Sequence, residues 1–374
     1  MIPFNKPYLS GKEAQYITEA VQSGKISGNG MFTKQCQDFF QNKYGFGKCF
    51  LTTSCTDALE MTAILANIQP GDEVIIPSYT FVSTANAFVL RGAKIVFVDS
   101  ETERPNIDAN QISSLITERT RAIVPVHYAG MACDMEKIMQ LAEKNNLLVI
   151  EDAAQAIDSY YKDKPLGSIG HMAAFSFHET KNIISGEGGM LVVNDKRFED
   201  RAEIIWEKGT NRAAFWRGEV DKYGWVDIGS SFLPSELISA YLWAQLENIE
   251  NIQNKRIFLW NLYYDGLKSL QKKKQVNLPV IRSYSTINGH MFYLLCKTLD
   301  ERTRLIEYLK LHRIQSVFHY QSLHRSVYYL NKYVKSVLVN SDYYTDCLLR
   351  LPMYYELTEE QVIMVVNKVK EFYR

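Results

Sequence analysis

The chain reads as an α/β protein built on a mostly parallel central sheet, with a smaller α+β unit at its C-terminal end. Three observations carry that reading. Seven short apolar runs recur through the first two thirds without in/out alternation, stretches with helical spacing separate them, and the rhythm breaks off near residue 245. Strands covered by helices on both faces are near-continuous apolar runs, whereas half-exposed strands alternate. A length of 374 residues suits two domains. The expected division is 1–245 for the large domain and 246–374 for the small one.

In order, the runs are Cys49-Phe-Leu-Thr-Thr53, Glu73-Val-Ile-Ile-Pro77, Lys94-Ile-Val-Phe-Val-Asp99, Ala122-Ile-Val-Pro-Val-His127, Leu147-Leu-Val-Ile-Glu-Asp152, Ala173-Ala-Phe-Ser-Phe-His178 and Met190-Leu-Val-Val-Asn194. Between the fourth and fifth, residues 134–145 place Met135, Ile138, Met139, Leu141 and Ala142 at helical spacing. Beyond residue 245 a charged helical stretch over 246–268 leads to Lys272-Lys273-Lys274, read as a solvated turn. A strand-like His290-Met-Phe-Tyr-Leu-Leu295 follows, then a helix over 301–312 and a strand at Ser316-Val-Phe-His-Tyr320. The last helix opens on Thr358-Glu-Glu-Gln361, a capping-box pattern, and carries Val362, Val365, Val366 and Val369 on one face.

Composition narrows the function. The 42 basic residues balance 42 acidic ones, which argues against a general nucleic-acid binder and requires any anionic ligand to be held by local groups. No apolar run reaches the roughly 18 residues that span a membrane, and no signal-peptide core precedes the first helix. Six scattered cysteines without a CxxC pair read as reduced residues of a cytoplasmic protein that binds no metal.

The chemistry is concentrated at strand ends. The fifth run ends in Glu151-Asp152-Ala-Ala-Gln155, and the sixth leads into Lys181 and then Ser185-Gly-Glu-Gly-Gly189. A carboxylate and a lysine at the carboxyl ends of nearby strands face one cleft. Pyridoxal phosphate requires that pair: an amine to form a Schiff base and an acid to keep the ring nitrogen protonated. Ser54-Cys55-Thr56 at a helix start, with Ser176, supplies the donors a phosphate needs. Taken singly, each feature has a plainer explanation. Lys181 could face solvent, Asp152 could cap a helix, and Gly186, Gly188 and Gly189 could serve a turn. Their joint order favours the cofactor.

These motifs resemble the DegT/StrS group of sugar aminotransferases, which have the aspartate aminotransferase fold (fold type I of the pyridoxal-phosphate transferases). The resemblance runs from Ile2-Pro-Phe-Asn-Lys-Pro7 and Ser23-Gly-Lys-Ile-Ser-Gly-Asn-Gly30 to His319-Tyr-Gln-Ser-Leu-His324. Its most specific segments are 71–86 and Val126-His-Tyr-Ala-Gly130. It implies that Lys181 is the Schiff-base lysine, Asp152 the partner of the ring nitrogen, Gln155 a neighbour of the ring hydroxyl and Phe81 a ring stack. Ser54, Cys55, Thr56 and Ser176 would hold the phosphate. Ser231 stands where many members have an asparagine that reaches the partner subunit's cofactor phosphate, and the loop after Lys181 is about one residue shorter than in similar chains. Segments 175–182 and 207–212 resemble the subgroup that aminates C4 of dTDP-4-keto-6-deoxyglucose with L-glutamate, giving the galacto product for surface polysaccharide.

Arg212, His319 and Tyr320 are expected near the substrate. Arg212 could equally form an ion pair between subunits, and His127 and His319 could be structural. Residues 212–235 break the strand–helix rhythm and carry Phe215, Trp216, Tyr223, Trp225 and Phe232, so a homodimer with shared active sites is expected. Alternatives are a sister enzyme giving the gluco epimer or acting at C3, and a cofactor-binding regulator without turnover. A dehydratase of this fold carries histidine in place of the lysine. A nicotinamide oxidoreductase would need a GxGxxG turn, which is missing.

Overall fold

The computed structural model describes residues 1–330, 332 and 337–374. Helices α1 (Glu13–Gln22) and α2 (Met31–Tyr44) precede β1 (Lys48–Thr52). Helix α3 (Cys55–Leu65) leads to β2 (Glu73–Pro77), α4 (Val82–Val89) leads to β3 (Lys94–Val98), and α5 (Met135–Lys144) joins β4 (Thr120–Ile123) to β5 (Leu148–Asp152). A hairpin of β6 (Tyr160–Tyr161) and β7 (Lys164–Pro165) comes before β8 (Met172–Ser176) and β9 (Gly189–Val193).

Seven of these strands form one sheet in the order β1-β9-β8-β5-β4-β2-β3. Successive residues go to opposite faces: Ile75, Val149 and Val192 enter one apolar cluster, while Val74, Ile76, Ile150, Leu191 and Val193 enter another. Both faces are buried, which is why the sequence shows runs rather than alternation. All neighbouring strands run parallel except at β9, which is antiparallel to both β8 and β1. The reason is the connection. A parallel return needs a crossover of a dozen or more residues, usually a helix, whereas an antiparallel return needs only a loop. The loop between β8 and β9 carries Lys181.

Helices α6 (Glu199–Trp206), α7 (Arg212–Trp216), α8 (Glu236–Leu246) and the long α9 (Ile249–Lys272) follow. The C-terminal part then adds β10 (Phe292–Leu295), α10 (Leu299–Leu311), β11 (Val317–Phe318), α11 (Val339–Cys347), β12 (Leu348–Leu351) and α12 (Glu359–Phe372). Its three strands pair in the order β10-β12-β11, all antiparallel. Strand β12 lies at the centre, although the sequence reading did not pick it out. The capping box forms as expected: Gln361 N donates to Thr358 Oγ1 at 3.2 Å, and Thr358 N donates to Gln361 Oε1 at 3.0 Å. Val362, Val365, Val366 and Val369 are buried against Leu259, Tyr263 and Leu267 of α9 in one cluster. Ile2 joins that cluster and pairs with Ile314, its N–H donating to Arg313 O at 2.8 Å. Among the described residues no helix is long and apolar enough to cross a membrane.

Candidate active site

A cavity of about 410 Å³ opens where β1, β2, β4, β5 and β8 end, and the C-terminal sheet closes its other side. Ser54, Cys55, Thr56, Phe81, Asp152, Gln155, Ser176, Lys181, His319 and Tyr320 all border it. Each large-sheet contributor lies at or just past a strand's carboxyl end, where a parallel sheet places its ligands.

Ser54 caps α3, its Oγ accepting from Asp57 N at 3.0 Å. The Cys55 and Thr56 amides ahead of it have no acceptor among the described residues, as the first donors of a helix must. Gly189, the first residue of β9, lies against this turn. A Cβ there would stand 2.3 Å from Ser54 C and 2.4 Å from Cys55 N, so only glycine lets the sheet approach the helix start. Of the three loop glycines only Gly186 has a positive φ, 81°. Gly189 is required by contact, not by turn conformation.

Asp152 is buried. Its Oδ2 accepts from Thr84 Oγ1 at 2.7 Å and its Oδ1 from Ala154 N at 3.2 Å. Burial raises its pKa; Thr84, Ala154, Lys181 and His127 oppose that in part, and the net direction is upward. A positive ring nitrogen beside it would complete the compensation. Lys181 is half-buried, and no hydrogen bond or ion pair to a described residue holds its Nζ. Loss of hydration lowers its pKa, Cys55 and Asp152 pull it back up, and Arg350 pushes it down again. An amine unclaimed by the protein, a buried acid and a free helix start therefore face one cavity. That donor set fits pyridoxal phosphate.

The opposite wall is strained. Tyr320 holds φ 54° and Ala129 φ 56°, conformations that cost residues with side chains about 1–3 kcal/mol and cluster at functional sites. Gln155 joins them, its Oε1 accepting from Ala129 N at 2.6 Å and its Nε2 donating to Tyr320 OH at 3.1 Å. The His319 ring stacks on Tyr320 with centroids 3.5 Å apart, and its Nδ1 lies 2.7 Å from Tyr128 OH. Burial, then Arg350 and Lys181, hold His319 well below the ordinary histidine pKa.

Sequence reasoning missed Thr84, His290 and Arg350. Arg350 projects from β12 to the cavity. Among the described residues it has no ion pair, its buried Nε has no hydrogen-bond partner, and its guanidinium stands 4.7 Å from the Phe4 ring. A signal existed: Leu348-Leu-Arg350-Leu-Pro352 puts an arginine inside an apolar run.

Three other residues lie elsewhere. His127 is fully buried with Nε2 2.9 Å from Glu151 Oε2, and Glu151 also accepts from the amides of Gly167, Ile169 and Gly170. That is a structural histidine. Arg212 pairs with Glu207 at 2.5 Å in a separate surface cleft with Lys25, Asn29, Lys34 and Trp216. Ser231 is exposed and bridges Glu207. Neither borders this chain's own cavity.

The DegT/DnrJ/EryC1/StrS aminotransferase family description matches residues 7–370. GDP-perosamine synthase of Escherichia coli O157:H7 is 33% identical over 375 positions, covering 100% of this chain and 98% of that protein. Among solved structures, DesV of S. venezuelae, in complex with a ketimine intermediate, superposes with a TM-score of 0.91 at 27% identity, covering 99% and 98% of the two chains. A putative sugar aminotransferase of Streptococcus pneumoniae shares the fold, with a TM-score of 0.93 at 24% identity and coverage of 100% and 99%.

Proposed function

The chain belongs to the DegT/DnrJ/EryC1/StrS aminotransferase family, and from that premise we propose that it moves an amino group from L-glutamate to C4 of dTDP-4-keto-6-deoxyglucose. The product is dTDP-4-amino-4,6-dideoxygalactose, for a surface polysaccharide. The observation that carries amination is the unclaimed amine of Lys181 in one cavity with the buried Asp152, above the free start of α3. Segments 175–182 and 207–212 support the sugar.

Pyridoxal phosphate supplies an aldehyde that takes the amine and a ring that draws off an electron pair. Asp152, whose Oδ2 is oriented by Thr84, would hold the ring nitrogen protonated. Ser54, Thr56 and Ser176, with the Cys55 and Thr56 amides, would bind the phosphate, and Phe81 and Gln155, on the same cavity, would hold the ring. Lys181 Nζ would hold the cofactor and would serve as the acid and base that moves the proton at the sugar carbon. Arg350 binds a carboxylate of the amino donor, since an unpaired guanidinium recognises carboxylates bidentately.

Arg212 and Ser231 act in trans, in a homodimer whose cavities are completed by the neighbour's residues 212–231. Their distance from this chain's own cavity and the exposure of Trp216 (76%) and Trp225 (86%) support that arrangement. A GDP-bound 4-keto sugar is the second reading, favoured by the 33% identity to GDP-perosamine synthase.

The test is incubation with L-glutamate and each nucleotide keto sugar, followed by proton NMR of the product. An axial amine at C4 of the dTDP sugar is expected. An equatorial amine, amination at C3, or turnover of the GDP sugar alone would sink the proposed substrate or product.

A further inference from the structure

Ala129 and Tyr320, the two strained residues of the cavity wall, stand at the ends of one hydrogen-bond chain whose direction can be worked out. The Ala129 amide, which can only donate, bonds Gln155 Oε1 at 2.6 Å. That fixes the oxygen of the Gln155 amide and turns its NH₂ the other way. The NH₂ donates to the Tyr320 phenol oxygen at 3.1 Å. The phenol therefore accepts at this bond and keeps its own proton to give elsewhere. No described residue accepts that proton, and Tyr320 borders the cavity. The chain is braced from behind. Asn288 Nδ2 donates to Gln155 O at 2.8 Å, and a Cβ at Gly130 would lie 2.1 Å from Asn288 Oδ1. The strained turn, the glutamine and the asparagine are thus packed as one unit.

We propose that this chain is a directed donor, in which Tyr320 gives a hydrogen bond to the carbonyl oxygen of the substrate at the carbon that gains or loses the amine. The identity of that oxygen rests on the amination reading; the direction of the chain does not. Both half-reactions present one carbonyl at that carbon, in the 2-oxo acid and in the keto sugar. Asp152 and Cys55 act electrostatically on both Tyr320 and Lys181, so the phenol and the amine serve the same region. Left-handed backbone at Tyr320 and at Ala129 is held for a purpose: it brings one amide and one phenol to the two ends of the Gln155 side chain.

Holoenzymes carrying Tyr320→Phe, Gln155→Glu and both substitutions test this. Gln155→Glu retains an acceptor for Ala129 N–H, but its second oxygen takes the Tyr320 proton and reverses the chain. Single-turnover conversion of the cofactor is followed by absorbance, with L-glutamate in one direction and 2-oxoglutarate in the other. Each single substitution is expected to slow both directions about 100-fold, the scale of one aimed donor. The double variant is expected to be no slower than the slower single, because both changes remove the same donor. The pyridoxal phosphate Kd of Tyr320→Phe, by equilibrium dialysis, should stay within about threefold of the parent's. Parental rates in Tyr320→Phe, multiplicative losses in the double variant, or a tenfold weaker cofactor Kd would each overturn the donor. A parent inert towards both L-glutamate and 2-oxoglutarate would instead overturn the amination reading, and the carbonyl acceptor with it.

Discussion

Replacing Arg350 with methionine separates function from stability with opposite signs. The guanidinium has no ion pair among the described residues and its Nε is buried without a partner, so the folded protein bears an uncompensated charge when the cavity holds no anion. Charge-assisted hydrogen bonds contribute about 1.5–3 kcal/mol each. Losing a bidentate contact to the donor's carboxylate should cost about 2–4 kcal/mol, or roughly a 30- to 700-fold rise in KM for L-glutamate, at tenfold per 1.4 kcal/mol. Methionine replaces the guanidinium beside Phe4 with an apolar end of similar reach and removes the charge, so the cofactor-free variant should melt higher. Relief of even about 1 kcal/mol would show as roughly 1–2 °C. The assays are steady-state kinetics over a range of L-glutamate with the keto sugar saturating, and thermal melts of the cofactor-free protein. A KM within twofold of the parent's, or a fall in Tm, would refute the reasoning. The first outcome would say that the arginine meets no carboxylate, and the second that an unseen partner already neutralises it.

Three further predictions follow from the same geometry. Borohydride should bleach the yellow holoenzyme and fix the cofactor on Lys181, as peptide mapping would show, while Lys181→Ala should retain cofactor through the α3 turn and Asp152 yet lose transamination. Gly189→Ala should force the start of α3 off the β9 edge, because the added methyl meets backbone atoms of Ser54 and Cys55 at 2.3–2.4 Å. A loss of pyridoxal phosphate affinity larger than the loss of melting temperature is expected, and unchanged affinity would contradict the phosphate assignment. His290 and His319 are both held well below the ordinary histidine value of 6.5, first by burial and then by Lys181 and Arg350, with Arg256 and His319 acting further on His290. The unfolded chain therefore binds protons that the folded one refuses, so stability is present above pH 6.5 and is lost as pH falls through the folded values. Melts from about pH 8 to 5 should show that fall in the cofactor-free protein, shallower in His290→Gln; an identical slope in that variant would count against the assignment.

Local features of the sequence carried the sheet, the acid and the lysine. Seven buried strands show as apolar runs, and Asp152 and Lys181 follow directly from the ends of two of them. Arg350 did not show in the same way, since its meaning depends on β12 lying between β10 and β11 and on residues some 200 positions away forming the rest of the cavity. His290 was hidden inside a run read only as a strand, and its bond to Asn182 Oδ1 at 2.9 Å joins residues 108 apart. The left-handed backbones at Ala129 and Tyr320 left no trace either, because glycine or asparagine would normally mark them. The placement of Gly189 was legible, but its reason was not. A glycine that permits a close approach and one that permits a turn look the same until the neighbour is seen.

The pairing of Ile2 with Ile314 has a consequence for the order in which the protein is assembled. A ribosome adding roughly 5–20 residues per second needs about 15–60 s to travel from one to the other. Throughout that interval the seven-stranded sheet, complete by Val193, can form, while Ile2 still lacks its strand partner. Joints of longer range close later still: Met353 N donates to Phe4 O at 3.3 Å and Lys6 pairs with Glu356 at 3.2 Å, so the segment around Ile2 is fully tied only after β12 has been made. Emergence of β12, rather than of the large sheet, would set the moment at which the cavity gains its second wall.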